Sequence, residues 1–556
     1  MLTAYTSDQI RAAEAALMAK LPEGTLMERA AAGLAVVCAG ALGTVYGSRV
    51  VVLAGGGDNG GDALYAGARL AARGARVHAV LAGARVHEGG LAALRRAGGR
   101  VTDLGGAAGE TPADPAGGGT ADLARDSATD SARGSGKGSG QGLGKGSVQG
   151  PGKGSVRDPA KGPAVGAGVR RLLDGADLVV DGLVGIGGTG ALREPYATLA
   201  RLAAEGPATV VAVDVPSGVD ASTGRVDGPA VRADVTVTFG ARKIGLLADP
   251  GAARAGRVEL VDIGLGPYLP DPGASALTDA DVALMLPRPG VESDKYRRGV
   301  VGVAAGSHRY TGAAVLAVGG AVRAGAGMVR YAGPAEPVAQ VRARWPEVVI
   351  TPLEPGEGIG EVGRVQAWVL GPGLGTGPEA LAVARSVLAS DVPVLVDADG
   401  LTLVAENRSL LRRSAPVLIT PHAGELSRLL DVPRSRIEAR RVEYARRAAD
   451  ELGVTTLLKG STTVVAEDER PVRINLTGSS WLATAGTGDV LAGVAGALLA
   501  AGLGPYDAAS CAAYLHGLAG RNGPVSAWDV LSGVPGAVRE VMDRLGEDDG
   551  AAKLER

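Results

Sequence analysis

The chain has 556 residues, with Lys+Arg 57 against Asp+Glu 59 and a formal charge of −2, so it lacks the basic excess that a nucleic-acid partner demands. Hydrophobic residues make up 46%, but Phe 1, Trp 4 and Tyr 11 leave the cores to Ala, Val and Leu. Two cysteines, Cys38 and Cys511, make no disulfide framework, and no apolar run reaches the ~20 residues of a bilayer span. A reducing compartment, the cytoplasm, is expected, with no membrane partner.

The start, MLTAYTSDQIRAAEAALMAK, reads as a polar-capped helix and not as a leader. A buried strand follows at 48–55 (SRVVVLAG), then the turn GGDNGGD, the helix ALYAGARLAARG and a second strand, ARVHAVLAG. From about 105 to 166 the hydrophobic pattern disappears, and GKGS recurs from Gly136, Gly144 and Gly152. A Gly/Ser/Lys stretch with little to bury cannot offset its ordering entropy, so a flexible insert within the first half is expected. Strands resume at 176–184, 208–215 and 233–240. A Gly/Pro/Asp cluster at 264–275 marks a boundary, after which strands recur at 299–306, 366–373, 392–400, 415–420 and 454–461. Short β-branched runs alternating with Ala-rich helices imply parallel sheets covered on both faces. Two α/β domains at 1–268 and 277–545 are expected, with a flexible tail at 546–556.

Ligands of parallel sheets bind at the C-terminal ends of strands, and the glycine strings fall there. GGGDNGGDA (55–63) ends one strand and opens a helix, where free amides favour an anion; Asp58, Asn59 and Asp62 add oxygen and amide groups. GIGGTG (185–190) matches GxGxxG, with Asp214 further on, yet it lies late in its domain. A phosphate-cradling loop without hydride chemistry fits it better than a dehydrogenase. Asn59, Asp181 and Ser217 are oxygen-bearing side chains on neighbouring strand ends, a donor set of low charge that suits a hard cation; strand-end capping is the alternative. In the second half, ATAGTGDVLAGVAGALLA (483–500) sets Gly486, Thr487, Gly488 and Asp489 before an apolar helix. Backbone amides there can hold phosphoryl charge, and Asp489 is placed to take a proton from an attacking hydroxyl. Lys459, Ser461, Thr462 and Thr463 at a strand end suit nucleotide phosphates, although no P-loop is present. His422 lies between a strand and a helix. Asp397 and Asp399 could orient Mg²⁺ or substrate, or cap their turn.

Two families are resembled in consistent order of motifs. DQIRAAEAALMAKLPEGTLMERAAAGLA, GGGDNGGDA, DGLVGIGGTG, VDVPSGVDASTGRVDG and TVTFGARKIGLLADPG look like the NAD(P)H-hydrate epimerase domain, a Rossmann-like three-layer α/β/α sandwich. KYRRGVVGVAAGSHRYTGAA, GPGLG, VDADGLTLV, TPHAGELSRLL, LKGSTTVV and NLTGSSWLATAGTGDVLAG resemble the ADP-dependent NAD(P)H-hydrate dehydratase, a ribokinase-like fold. Two departures stand out: Asp58 and Ala63 where the epimerase loop usually has Asn and Gly, and Ala485 where the kinase-like turn usually has Gly.

The resemblance implies a repair enzyme that interconverts the R and S hydrates of NADH and NADPH (NADHX, NADPHX) and dehydrates the S form with ADP. Substrate contacts carried over to the epimerase half are Asp58, Asn59, Gly60, Gly61, Asp62, Gly185, Ile186, Gly187, Gly188, Thr189, Gly190, Ala191 and Asp214, with Asp214 acting on the reacting ring. Asn59, Asp181 and Ser217 would bind K⁺. In the dehydratase half Ala313, Gly373, His422 and Asp489 would contact the hydrate, with Asp489 the base. Lys459, Gly460, Ser461, Thr462, Thr463 and Gly488 would hold ADP, with Mg²⁺ accompanying it. A homo-oligomer is expected. The alternative is a vitamin or sugar kinase fused to a nucleotide-binding regulatory domain.

Overall fold

The computed structural model describes residues 1–105 and 165–554, with side chains through Arg544. The expected insert therefore lies almost wholly outside the described residues.

Strand β1 (Leu2–Tyr5) precedes helix α1 (Ser7–Met18), whose Thr6 cap and Gln9 form a reciprocal capping box. Helix α2 (Thr25–Leu42) is long and apolar enough to cross a membrane by length and composition alone, but it buries Ala31, Leu34, Ala35 and Cys38 within the first half. Then come β2 (Arg49–Ala54), α3 (Asp58–Ala72), β3 (Arg76–Leu81), α4 (Glu88–Arg96) and β4 (Arg100–Asp103). The first sheet is completed by β5 (Leu178–Gly182), β6 (Thr209–Val213), β7 (Val235–Phe239) and a later strand, β9 (Arg257–Val261). Its order is β4-β3-β2-β5-β6-β7-β9, parallel throughout. The valine-rich strands are buried on both faces because one apolar cluster packs each side, which makes the sandwich. The order reverses between β2 and β5, and a crevice opens outside the strand ends at such a switch.

The second sheet carries β11 (Val300–Ala304), β12 (Met328–Gly333), β13 (Val349–Pro352), β14 (Ala367–Leu370), β15 (Val394–Val396), β16 (Val417–Ile419), β17 (Thr455–Leu458), β18 (Thr463–Ala466) and β19 (Val472–Asn475). Strands β13-β12-β11-β14-β15-β16-β17 are parallel, and β18 runs antiparallel to both its neighbours, β17 and β19. Helices on both faces give the ribokinase-like α/β architecture that the resemblance implies.

The two halves are stitched together more closely than the sequence reading expects. Beyond β19 the second sheet continues through β10 (Ala274–Ala276) to β1 and then β8 (Arg242–Lys243), both strands of the first half. Ala4, Ile244, Leu247 and Ala248 belong to the second half's apolar core. LTAY pairs with residues some 270 positions away, so its strand character comes from a partner that local pattern cannot reveal. The last helix, Ala527–Leu554, runs into the stretch read as a tail.

Candidate active sites

In the first half, the turns after β2, β5 and β6 converge on the switch point. Gly55 is obligatory, because a Cβ there would collide with the Leu183 carbonyl, and Gly60 in turn packs on the Gly55 carbonyl. The Gly185 loop lies against the Asn59 amide: a Cβ on Gly185 would stand 2.8 Å from Asn59 Oδ1. Within this loop Gly188 N–H donates to Gly185 O, and Arg11 of α1 donates to Ile186 O, leaving Gly187, Thr189, Gly190 and Ala191 at the exposed rim.

Asp181 and Ser217 are brought into contact. Parallel pairing of Leu53 with Asp181 and of Asp181 with Ala212 sets the carboxylate at the centre of the sheet end. It is fully buried and accepts from Ser217 Oγ at 2.6 Å, Ser217 N at 2.8 Å and Leu183 N. Burial pushes its pKa up to about 6 against those hydrogen bonds. No cationic side chain pairs with it among the described residues. Oxygen donors with one uncompensated buried charge are what a monovalent cation fits.

Asp214 begins the turn after β6 at φ 65°, a conformation that costs a non-glycine residue roughly 1–3 kcal/mol and clusters at functional sites. Its Oδ1 accepts from Phe239 N, Thr238 Oγ1 and Lys243 Nζ. Lys243, 1% exposed, also donates to Phe239 O. Asp62 is buried with Oδ1 unpaired, and its pKa is raised well above its ordinary value by burial, then by Asp214, Asp58 and Glu14. Glu14 of α1 is raised too, by burial first and by Asp214 next. The site thus holds a buried carboxyl whose pKa is raised, Asp62, beside the Lys-paired Asp214. Sequence reading did not single out Lys243 or Glu14. Lys243→Met is expected to strand Asp214 as a buried unpaired charge, costing about 3–5 kcal/mol. Calorimetry should show that loss together with abolished turnover in the first half; unchanged turnover would remove the pair from the site.

In the second half, Gly486 takes φ 88° and starts the helix Thr487–Ala500. Ala485 is outside the left-handed region, so its methyl is accommodated and glycine is needed only at the next position. Thr487 Oγ1 donates to Leu482 O and Thr484 O, and the Thr487 carbonyl lies 2.9 Å from His516 Nε2. Burial lowers the His516 pKa to about 4, so this ring is neutral and donates, locking the turn from behind. The sequence carried no sign of that role.

Asp489 points its chemistry at a buried charge cluster. Its pKa is pushed up to about 7 by burial and then Asp397, with Lys459 opposing. Lys459 Nζ binds Asp397 Oδ1 at 2.6 Å; burial pulls the lysine pKa down, but Asp397, Glu425 and Asp489 outweigh it. A Cβ on Gly488 would stand 3.4 Å from Lys459 Nζ, so glycine turn and lysine meet. Asp399 Oδ2 accepts from Gly375 N, and Ala398 between the two aspartates sits at φ 49°. Asp397 is thus held by Lys459 and Asp399 by the Gly375 amide.

Ala313 and Gly373 adjoin, a Cβ on Gly373 reaching 2.7 Å from the Ala313 methyl. His422 caps the helix Ala423–Leu430 through Nδ1, which accepts from Gly424 N and Glu425 N, so only Nε2 remains for a ligand. Gly460 packs on the Arg441 guanidinium, and Ser461 is exposed while Thr463 opens β18. Thr462 is buried, and its hydroxyl accepts from Asp249 N of the first half at 3.0 Å, which ties it to the seam between the halves.

Known proteins match along the same lines. The family model described as NAD(P)H-hydrate dehydratase matches residues 301–532, and one described as YjeF-related protein N-terminus matches 23–114 and 155–245. The bifunctional NAD(P)H-hydrate repair enzyme of Mycobacterium leprae is 44% identical, covering 92% of this chain and 92% of its own. That of Salinibacter ruber is 35% identical over 95% of this chain and 93% of its own. Among solved structures, an ADP/ATP-dependent NAD(P)H-hydrate dehydratase from Bacillus subtilis, co-crystallised with ATP/Mg²⁺, shares 28% identity with TM-score 0.43, covering 48% of this chain and 99% of that one.

Proposed function

The chain belongs to the family of bifunctional NAD(P)H-hydrate repair enzymes, and from that premise we propose that its first half interconverts the R and S hydrates while its second half restores NAD(P)H from the S form at the expense of ADP. Asp489 carries the reading. A carboxylate held near pKa 7 at the mouth of an anion-binding helix start is suited to take the proton of the C6 hydroxyl. The hydroxyl oxygen then attacks the β-phosphorus of ADP and AMP leaves, with Lys459 and the Gly486–Gly488 amides holding phosphoryl charge. The C6 phosphate ester is a good leaving group. The ring nitrogen lone pair expels inorganic phosphate, and loss of a C5 proton restores the double bond.

Inversion at C6 in the first half needs the C6–O bond to break and re-form: an acid protonates the departing hydroxyl as the ring nitrogen lone pair makes the iminium, and a base takes the proton of the water that adds back to the opposite face, roles for which Asp62 and Asp214 are the candidates. Asn59, Asp181 and Ser217 would hold K⁺, which would neutralise the buried Asp181 and steady the phosphate-bearing substrate. Phosphorus NMR of a reaction with S hydrate and ADP tests the second half. One AMP and one free phosphate per reduced nicotinamide support the reading; a stable phosphorylated organic product would make the chain a small-molecule kinase instead.

A further inference from the structure

Reading the first half as a hydrate epimerase, on which this inference rests, places the nicotinamide end at Asp62 and Asp214. A dinucleotide laid across a switch point extends its adenosine half over the opposite limb of the sheet, here β3 and β4. The tip of β3 and the glycine turn after β2 touch through their backbones. A Cβ on Gly83 would stand 2.6 Å from Gly56 N, and one on Gly56 2.9 Å from Arg85 O. Between this turn and residues 84–88 lies an open cavity of about 660 Å³, continuous with the substrate loop through Asp58.

Folds of this kind read the adenosine ribose at the end of the second strand, an acid there accepting from a 2′-hydroxyl and an arginine accommodating a 2′-phosphate. In this chain the strand end runs Ala82, Gly83, Ala84, Arg85, with no acid. Arg85 is exposed and makes no ion pair among the described residues. It is also the only residue lining the cavity with a fixed positive charge. His87 lines the cavity too, its Nδ1 accepting from Gly90 N and its ring standing edge-on to Tyr65.

We propose that Arg85 binds the ribose 2′-phosphate, a specificity-determining residue that makes NADPHX the preferred hydrate of the first half. A planar guanidinium offers two parallel donors to a phosphate monoester, and NADHX has no such group to offer it. Asp58 and Glu88 line the same cavity. Without the arginine these carboxylates oppose a phosphate dianion, so the preference should invert and not merely fade.

The test follows R-to-S conversion by chromatography of the epimers, without ADP, for full-length wild type, Arg85→Ala and Arg85→Lys on each R hydrate. Wild type should favour NADPHX. Arg85→Ala should lose about 10- to 100-fold in kcat/KM for NADPHX, mostly in KM, while NADHX changes less than about 2-fold; Arg85→Lys should recover part of the loss. Equal losses on both hydrates, or none on either, would overturn the assignment. Wild type that converts neither R hydrate above the spontaneous rate would instead sink the epimerase reading, and the inference with it.

Discussion

Replacing Asp489 by Asn is expected to slow ADP-dependent dehydration at least about 100-fold, the low end for a positioned general base. The substitution is nearly isosteric, and Asp489 accepts no hydrogen bond among the described residues that asparagine would forfeit, so melting should hardly move. The pH profile makes the test specific. Burial and Asp397 put the carboxylate pKa at about 7, and a base works only when ionised. Wild-type kcat/KM should therefore fall about tenfold per pH unit below 7, and Asp489→Asn should lack that acid limb. Dehydration at wild-type rate in the mutant would remove Asp489 from the mechanism.

Asp181→Ala should separate the two activities. Asp181 holds Ser217 through two hydrogen bonds and carries the only formal charge in the proposed cation set. With racemic hydrate and ADP, the mutant should consume the S form promptly and the R form only at the spontaneous epimerisation rate. Absorbance at the reduced-nicotinamide band would show two phases where wild type shows one. R-hydrate repair at wild-type rate would overturn the role of Asp181, whereas an equal loss with pure S hydrate would point to misfolding.

The parallel strands at the centre of both sheets were legible because runs such as SRVVVLAG and ADLVVDGLV end in glycine turns, and each of these runs makes a strand. Asp181, Ser217 and Asn59 were legible as neighbours because they share strand-end positions. Lys243 was not, since a lysine between Arg242 and Ile244 reads as solvated until its burial under Asp214 is known. His516, an interior residue of the helix Pro505–Ala519, acts through the Thr487 carbonyl, a contact no local pattern announces. Thr462 has a contact that its motif does not announce, its hydroxyl accepting from Asp249 N of the first half.

Sequential addition to pure R hydrate tests most directly the claim that one chain runs both steps. Before ADP, the wild-type protein should bring R and S to a mixture with no gain in reduced-nicotinamide absorbance. After ADP, absorbance should climb in one phase to the full hydrate concentration. Absence of S hydrate before ADP, or an absorbance rise without it, would contradict the account.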